Sequence, residues 1–97
     1  MVQIIYTRDA VEDLQRLRGF IAEKNPASAQ RIAQDLVRRI KALQEMPMMG
    51  RPVASAPDPE VIRDMVFGDY TVRYAIHAQT LAILKVWHHY EDRFGEK

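Results

Sequence analysis

The chain has 97 residues, and its 14 lysines and arginines nearly balance 13 aspartates and glutamates, which gives a formal net charge of +1. This balance argues against strong, charge-driven binding of nucleic acid as the main activity, although it leaves room for a local basic patch. Without cysteine, the chain has no disulfide framework and no thiolate metal site. We expect one domain over residues 1–97, with a thin core that depends readily on a partner for stability.

The N-terminus and the apolar runs indicate the compartment. Residues 1–6 form a strand-like run without the basic segment that opens a signal peptide. No apolar run approaches the ~18 residues of a transmembrane helix. We therefore expect a cytoplasmic protein that does not bind membranes.

A first strand and an amphipathic helix are predicted at the N-terminus. Residues 2–6 form the strand, and Thr7 is a suitable N-cap for the helix that follows. Apolar residues recur at the spacing of one helical face. They are Ala10, Leu14, Leu17 and Ile21, and Asp13 lies off this stripe.

A second helix is predicted to start at Asn25 and Pro26, with Asn25 as the cap and Pro26 at the first helical position. Its apolar face contains Ala29, Ile32, Ala33, Leu36, Val37, Ile40 and Leu43. The helix is expected to end near Met46 and Pro47, where a proline-rich loop begins. Because only a few residues connect the two helices, they should form an antiparallel hairpin.

The last third of the chain predicts three strands joined by two tight turns. Its runs are rich in Tyr, Val, Ile and Trp, which suit a half-buried sheet, and Gly68 supplies the positive φ that a hairpin turn needs. The element order is therefore β-α-α-β-β-β, an α+β fold. It places an antiparallel helical hairpin on one face of a mainly antiparallel, four-stranded sheet. The expected core is Leu14, Leu17, Ile21, Ile32, Leu36, Ile40, Val72, Tyr74, Leu84 and Val86.

Three-residue turns at 67–69 and 78–80 would set the register of these strands. They place Arg63 opposite Arg73 and Arg73 opposite Lys85, so that three cations form a row on the face away from the helices. Met65, Thr71 and Trp87 would form the adjacent row. The same register directs Asp64 toward the helices.

This basic row allows two interpretations. The side chains can extend into water or meet nearby carboxylates, because like charges directly opposite each other are destabilising. Alternatively, the row and the apolar strip beside it bind an acidic protein segment or a phosphate. Arg51, which lies between Gly50 and Pro52, is either a loop residue at the surface or an extension of the row.

The sequence contains few candidates for catalysis and none for a metal or cofactor. Its histidines are His77, His88 and His89, and the last two point to opposite faces of a strand, so they cannot share a metal ion. There is no glycine-rich phosphate loop, no nucleophile elbow and no pair of catalytic carboxylates. His88 is more simply explained as a half-buried histidine at a strand end than as a general base.

These features together resemble the RelE/ParE superfamily of toxins from bacterial toxin–antitoxin pairs. The similarity includes the loop with Pro47, Gly50, Arg51 and Pro52, and Arg63 followed by Gly68, Tyr70, Val72 and Tyr74; it ends with the run from Ile83 to His88. The resemblance implies a helical hairpin on an antiparallel sheet, and a cognate antitoxin that binds through its C-terminal segment. RelE-like members cut messenger RNA in the ribosomal A site, whereas ParE-like members poison DNA gyrase.

Two departures favour the ParE-like kind. The chain is nearly neutral where the nucleases are strongly basic, and Thr71 stands where they carry an arginine. The resemblance then implies a toxin with DNA gyrase as target, of a kind not known to be a hydrolase, without a cofactor and without DNA binding in the absence of antitoxin. Target or partner contacts would come from Arg51, Arg63, Arg73, Lys85 and Trp87.

Two alternatives stay open. In a ribosome-dependent endonuclease acting on mRNA, cleavage would use Arg63, Arg73, His88 and His89, because the reaction needs a base, an acid and cations on the phosphate. The pair His89 and Tyr90 is similar to the ending of one nuclease branch. The third hypothesis is a degenerate member that binds its antitoxin but is no longer toxic.

Overall fold

The computed structural model describes residues 2–58 and 61–90, and these contain two helices and five strands. In chain order the elements are β1 (Gln3–Tyr6), α1 (Arg8–Lys24), α2 (Pro26–Ala42), β2 (Arg51–Pro52), β3 (Ile62–Phe67), β4 (Tyr70–His77) and β5 (Thr80–His88). The predicted α+β class with a helical hairpin is confirmed. Neither helix in these ranges is both long enough and apolar enough to cross a membrane.

The sheet has the strand order β1-β5-β4-β3-β2, one strand more than predicted. Strand β1 pairs in parallel with β5, and the other neighbours are antiparallel, so the sheet is mainly antiparallel as expected. The additional strand β2 consists of Arg51 and Pro52 at the edge of the sheet. Proline tolerates that position because an edge strand need not donate a hydrogen bond on its open side.

The helix starts follow the sequence signals with one exception. Thr7 Oγ1 accepts a hydrogen bond from the Ala10 N–H at 3.2 Å, and its hydroxyl donates to the Ile83 carbonyl at 2.8 Å. Pro26 opens α2 and Asn25 is its N-cap residue, both as predicted, but the Asn25 side chain makes no capping hydrogen bond. Helix α2 ends at Ala42, a few residues earlier than expected.

The core lies between the helical hairpin and the centre of the sheet. Its buried apolar residues are Ala10, Leu17, Ile21, Ala29, Leu36, Ile40, Leu43, Met65, Tyr70, Val72, Tyr74, Leu81, Ile83 and Val86. Leu14 and Ile32 are partly buried against this cluster. Leu84, predicted to be in the core, is half-buried and lies outside it.

A β-bulge explains the position of Leu84. Strands β4 and β5 are joined by a two-residue turn, with His77 opposite Thr80, whereas we expected a three-residue turn. The register then shifts at Leu84, so that Arg73 faces Lys85 as predicted, and Val72 faces Val86. The extra residue offsets the shorter turn, and it exchanges the two faces of β5 on its N-terminal side.

The register between β3 and β4 differs from the prediction. The turn contains only Gly68 and Asp69, and Gly68 has the expected positive φ of 59°. As a result Arg63 lies opposite Tyr74, and Asp64 lies opposite Arg73. Because a one-residue slip reverses every side chain of a strand, Arg63 faces the helices and Asp64 faces outward.

A charged pair on α1 makes hydrogen bonds to the backbone of β5 where β1 no longer pairs with it. Strand β1 pairs with β5 only as far as Ile83. Beyond it, Asp13 Oδ2 accepts a hydrogen bond from the Val86 N–H at 2.9 Å, and Arg16 donates to the Val86 carbonyl at 3.1 Å. Asp13, expected off the apolar stripe, is therefore buried, and it also forms a 2.5 Å ion pair with Arg16.

We predict that Asp13→Ala destabilises the fold, because it removes the acceptor of a buried strand N–H. The expected loss in the free energy of unfolding is about 1–2 kcal/mol. Urea denaturation of the variant beside wild type measures it. Glu12→Ala, an exposed neighbour on the same helix, serves as the control, and an equal loss in both variants would contradict the role of Asp13 at the strand edge.

Candidate functional site

The outer face of the sheet, away from the helices, carries a row of charged residues with alternating sign in its centre. Arg51 is opposite Asp64, Asp64 is opposite Arg73, and Arg73 is opposite Lys85. The predicted row of three like charges, with Arg63 opposite Arg73, is therefore wrong. Arg51 does extend the row, as one interpretation of the sequence had it, and a carboxylate separates it from Arg73.

Asp64 and Arg73 form a two-pronged ion pair. Arg73 Nε donates to Asp64 Oδ1 at 2.8 Å, and a terminal nitrogen of Arg73 donates to Asp64 Oδ2 at 3.0 Å. The hydrogen bond with Asp64 raises the pKa of the Arg73 guanidinium. The Arg73 guanidinium also lies 5.3 Å from the centre of the Trp87 ring, a cation–π arrangement. The charge of Arg73 is therefore held in one orientation on the outer face.

An apolar strip runs beside the charged row, and it differs from the predicted strip in one residue. Val66, Thr71 and Trp87 are paired across the three strands, so Val66 takes the place that we predicted for Met65. Met65 is turned into the core by the register of β3. The outer face thus combines a cation at each end of the row, a neutralised centre and an apolar border.

The cations at the two ends of the row differ in exposure, since Lys85 is only partly exposed. Arg51 is exposed on β2, and Lys85 Nζ lies 3.8 Å from Asp9 Oδ2 of α1, a distance at which exposed charges attract each other weakly. These ends are the parts of the row that can meet an acidic partner at little cost. In the Asp64–Arg73 pair, the carboxylate balances the charge of Arg73, so this centre attracts a further anion less strongly than the two ends do.

Arg63 has a different role from the one predicted, because it lies under the loop that precedes β2. Its side chain is buried, with 6% exposure, and its terminal nitrogen donates to the Gly50 carbonyl at 2.8 Å and to the Met48 carbonyl at 3.5 Å. Burial of a charge among backbone carbonyls is tolerated where these carbonyls accept its hydrogen bonds. Sequence spacing could not indicate this contact, since the loop approaches β3 only in the folded chain.

The hydroxyl of Tyr74 holds the same loop. It donates to the Pro47 carbonyl at 2.8 Å and accepts from the Gly50 N–H at 2.8 Å. Burial raises the pKa of the Tyr74 phenol. The hydroxyl serves here as both donor and acceptor. Gly50 fits closely, because a Cβ at this position would lie 2.7 Å from the Tyr74 hydroxyl.

The two histidines of the nuclease alternative lie on opposite sides of β5. The His88 ring is on the helix side, with its centre 5.1 Å from that of Phe20 and 4.9 Å from that of Tyr70. His88 Nδ1 accepts from the Tyr90 N–H at 3.1 Å, and His89 Nε2 lies 2.8 Å from Thr71 Oγ1.

The residues of that alternative are therefore not brought together. Arg63 and His88 lie on the helix side of the sheet, and Arg73 and His89 lie on the outer side. Within residues 2–58 and 61–90, no three side chains of the metal-binding types are grouped as a metal site would require.

An apolar groove lies between α1 and α2, on the side of the hairpin that the sheet does not cover. It has a volume of about 480 Å³. Its lining consists of Tyr6, Val11, Leu14, Gln15, Leu17, Arg18, Ile21, Ala33, Leu36 and Val37. Val11 is 42% exposed and Val37 is 45% exposed, so the groove presents aliphatic surface to solvent. A signal for it existed in the sequence, because the apolar face predicted for α2 is wider than the face that the sheet buries.

Comparison with known proteins identifies the family. Residues 4–93 match the model of the ParE toxin of the type II toxin–antitoxin system parDE. Toxin RelE2 of Caulobacter vibrioides is 32% identical over 88 residues, which cover 91% of this chain and 96% of that protein. Toxin RelE1 of the same organism is 30% identical over 86 residues, with 87% and 89% covered.

A solved structure shares the fold. A chain of the chromosomal ParDE toxin–antitoxin system from P. aeruginosa superposes with a TM-score of 0.79 at 22% identity, and the match covers 91% of this chain and 96% of that one. The matched family model and the relatives confirm the resemblance to the RelE/ParE superfamily that the motifs predicted. The chain belongs to the ParE toxin family of type II toxin–antitoxin systems.

Proposed function

We propose that this toxin arrests growth by poisoning DNA gyrase in the cytoplasm and that its cognate antitoxin neutralises it by direct binding. The observation that carries the proposal is the separation of the four residues that RNA cleavage would need. A metal-independent cut requires a base, an acid and phosphate-binding cations at one place. Here Arg63 and His88 lie on one side of the sheet, and Arg73 on the other side is already paired with Asp64.

The proposed target contacts are the outer-face residues that can approach another protein. Arg51 and the partly exposed Lys85 provide charge at the two ends of the row, and Trp87 provides apolar surface beside Arg73. Protein–protein interfaces are enriched in arginine and tryptophan. The combination on this face therefore suits a protein target better than bare nucleic acid. We propose no DNA binding by the toxin without its antitoxin.

The second candidate is a ribosome-dependent endonuclease that cuts mRNA. It is favoured by the RelE names of the two relatives, and by the position of His89 and Arg73 on the same face. In that case His89 would supply the base, and Arg73 would bind the scissile phosphate through the N–H donors that Asp64 does not use. Because Asp64 already balances the charge of Arg73, the endonuclease is the less favoured of the two candidates.

Pulse labelling after induction of the toxin separates the two candidates in cells. A gyrase poison should reduce incorporation of thymidine before incorporation of amino acids, because replication stops first. Co-expression of the antitoxin should restore both. A fall in protein synthesis that precedes the fall in DNA synthesis would contradict the gyrase proposal.

For the antitoxin we propose that an amphipathic segment docks in the groove between α1 and α2. The lining is almost entirely apolar, and helices commonly bind such grooves through side chains at i, i+3, i+4 and i+7. Arg18 at the rim would favour an acidic residue beside the apolar face of that segment.

We predict that Val37→Ser weakens antitoxin binding by about tenfold, because an aliphatic side chain that lines the groove no longer contacts the docked segment. Isothermal titration of each variant with the antitoxin measures the effect. Val66→Ser is the matched control, since Val66 is also exposed but lies on the outer face of the sheet. Equal affinities for the Val37 variant and wild type would exclude the groove as the docking site.

A further inference from the structure

A short loop before β2 displays methionine side chains to solvent. Three of the five methionines of the chain lie within residues 46–49. Met48 is 58% exposed and Met49 is 43% exposed, and Arg51 follows them as an exposed cation. Large apolar side chains that stand together at the surface of a soluble domain often mark a protein contact, and methionine is frequent at such surfaces.

The turn that carries these methionines is held from beneath by two buried side chains. The Tyr74 hydroxyl bonds to Pro47 and Gly50, and the Arg63 guanidinium bonds to Met48 and Gly50. Every one of these bonds goes to the backbone of the loop, so the Met48 and Met49 side chains are left to face outward. The backbone of an exposed loop is thus fixed from the core.

This anchoring is difficult to explain by stability alone. A buried arginine loses its hydration, and an apolar residue of similar volume at such a position is often equally or more stabilising. Its hydrogen bonds to the loop instead give the loop one conformation. Supporting a contact surface with buried polar side chains reduces the entropy that is lost when a partner binds.

The loop and the helix groove are separate surfaces. Met48 and Met49 do not line the groove, and the loop leads into β2, at the edge of the sheet opposite β1. The groove receives Tyr6 from β1. If the antitoxin occupies the groove, the loop with its two thioethers and Arg51 is available for the target.

We infer that Met48, Met49 and Arg51 form a target-contact surface that inserts into an apolar pocket bordered by carboxylates on DNA gyrase. Tyr74 and Arg63 are positioning residues that hold this surface in its binding conformation. The inference rests on the proposed function and specifies where the toxin contacts its target. It assigns Arg63 an indirect role, through the loop, instead of a direct one on the outer face.

The test compares inhibition of supercoiling by DNA gyrase with affinity for the antitoxin in the same variants. The double variant Met48→Ser/Met49→Ser should require about ten times more toxin for half-inhibition, because central apolar contacts dominate binding, while antitoxin affinity stays within about twofold of wild type. Val37→Ser is the reciprocal control and should keep its inhibition of gyrase. Unchanged inhibition by the double variant would overturn the inference, as would a parallel loss of antitoxin affinity.

A second variant addresses the positioning role. Tyr74→Phe removes the hydroxyl that holds the loop but does not replace Met48 or Met49. It should weaken inhibition of gyrase several-fold while antitoxin affinity is kept. A general loss of folded protein would lower both quantities by the same factor, and that result would overturn the positioning role. Wild-type toxin that does not inhibit gyrase would refute the proposed function itself, and this outcome is visible before any variant is measured.

Discussion

Leu36→Ala is expected to lower the free energy of unfolding by about 2–5 kcal/mol, the range for a fully buried leucine. Leu36 is 1% exposed and belongs to the cluster between the helices and the sheet. A domain of this size has only a small free energy of unfolding, so the Leu36→Ala variant without antitoxin should be largely unfolded at elevated temperature. Urea denaturation should show a lower midpoint with an unchanged dependence on denaturant.

Leu84→Ala is the matched control for this experiment. Leu84 is the extra residue of the β5 bulge and is only half-buried outside the core, so its truncation should lower the free energy of unfolding by about 1 kcal/mol. The alternation pattern of β5 predicts Leu84 in the core, where its truncation would cost about as much as that of Leu36. Equal losses in the experiment would show that the bulge is misplaced.

Gly50→Ala is expected to destabilise the fold by about 3 kcal/mol, toward the upper end of the range for overpacking. The added methyl group would lie 2.7 Å from the Tyr74 hydroxyl and 2.8 Å from the Asp64 carbonyl oxygen. Neither atom can move easily, because the hydroxyl is held by two hydrogen bonds and the carbonyl belongs to β3. The loop before β2 should therefore be displaced.

A glycine-to-alanine substitution in α1 should have the opposite effect on the free energy of unfolding. Gly19 lies within α1 with no atom near the position of an added Cβ, so Gly19→Ala should stabilise the helix by about 0.5–1 kcal/mol. Thermal denaturation of the two variants gives both signs in one experiment. A Gly50→Ala variant as stable as wild type would mean that the loop is not fixed by Tyr74.

Local signals in the sequence predicted the elements and their order. Thr7, Pro26 and Gly68 mark two helix starts and a turn, and each acts through its own backbone or its immediate neighbours. The periodicity of apolar residues likewise predicted both helices and most of the core. These features depend on short stretches of chain, and short stretches are what a sequence displays directly.

The strand registers depended on features that alternation does not encode. A bulge at Leu84 and a two-residue turn at Gly68 each move the pairing by one residue, which exchanges the faces of the sheet. This is why Met65 and Arg63 were predicted on the wrong face. The apolar strip was nevertheless predicted in outline. It contains Thr71 and Trp87 as expected, and Val66 takes the place of Met65.

The burial of Arg63 could not be predicted, because charged side chains are seldom buried. It donates to backbone carbonyls 13 and 15 residues away, in a loop whose path only the tertiary structure reveals. The groove between the helices was easier to anticipate. Val37 continues the apolar stripe of α2 beyond the face that packs on the sheet.

The most direct test of gyrase as the target is to assay one preparation of purified toxin in two reactions. In the first, DNA gyrase supercoils relaxed plasmid; in the second, translating ribosomes carry a defined messenger RNA. We predict concentration-dependent inhibition of supercoiling that the antitoxin reverses, with the messenger intact. Cleavage of the messenger at the ribosome together with undisturbed supercoiling would contradict the gyrase proposal and favour the endonuclease.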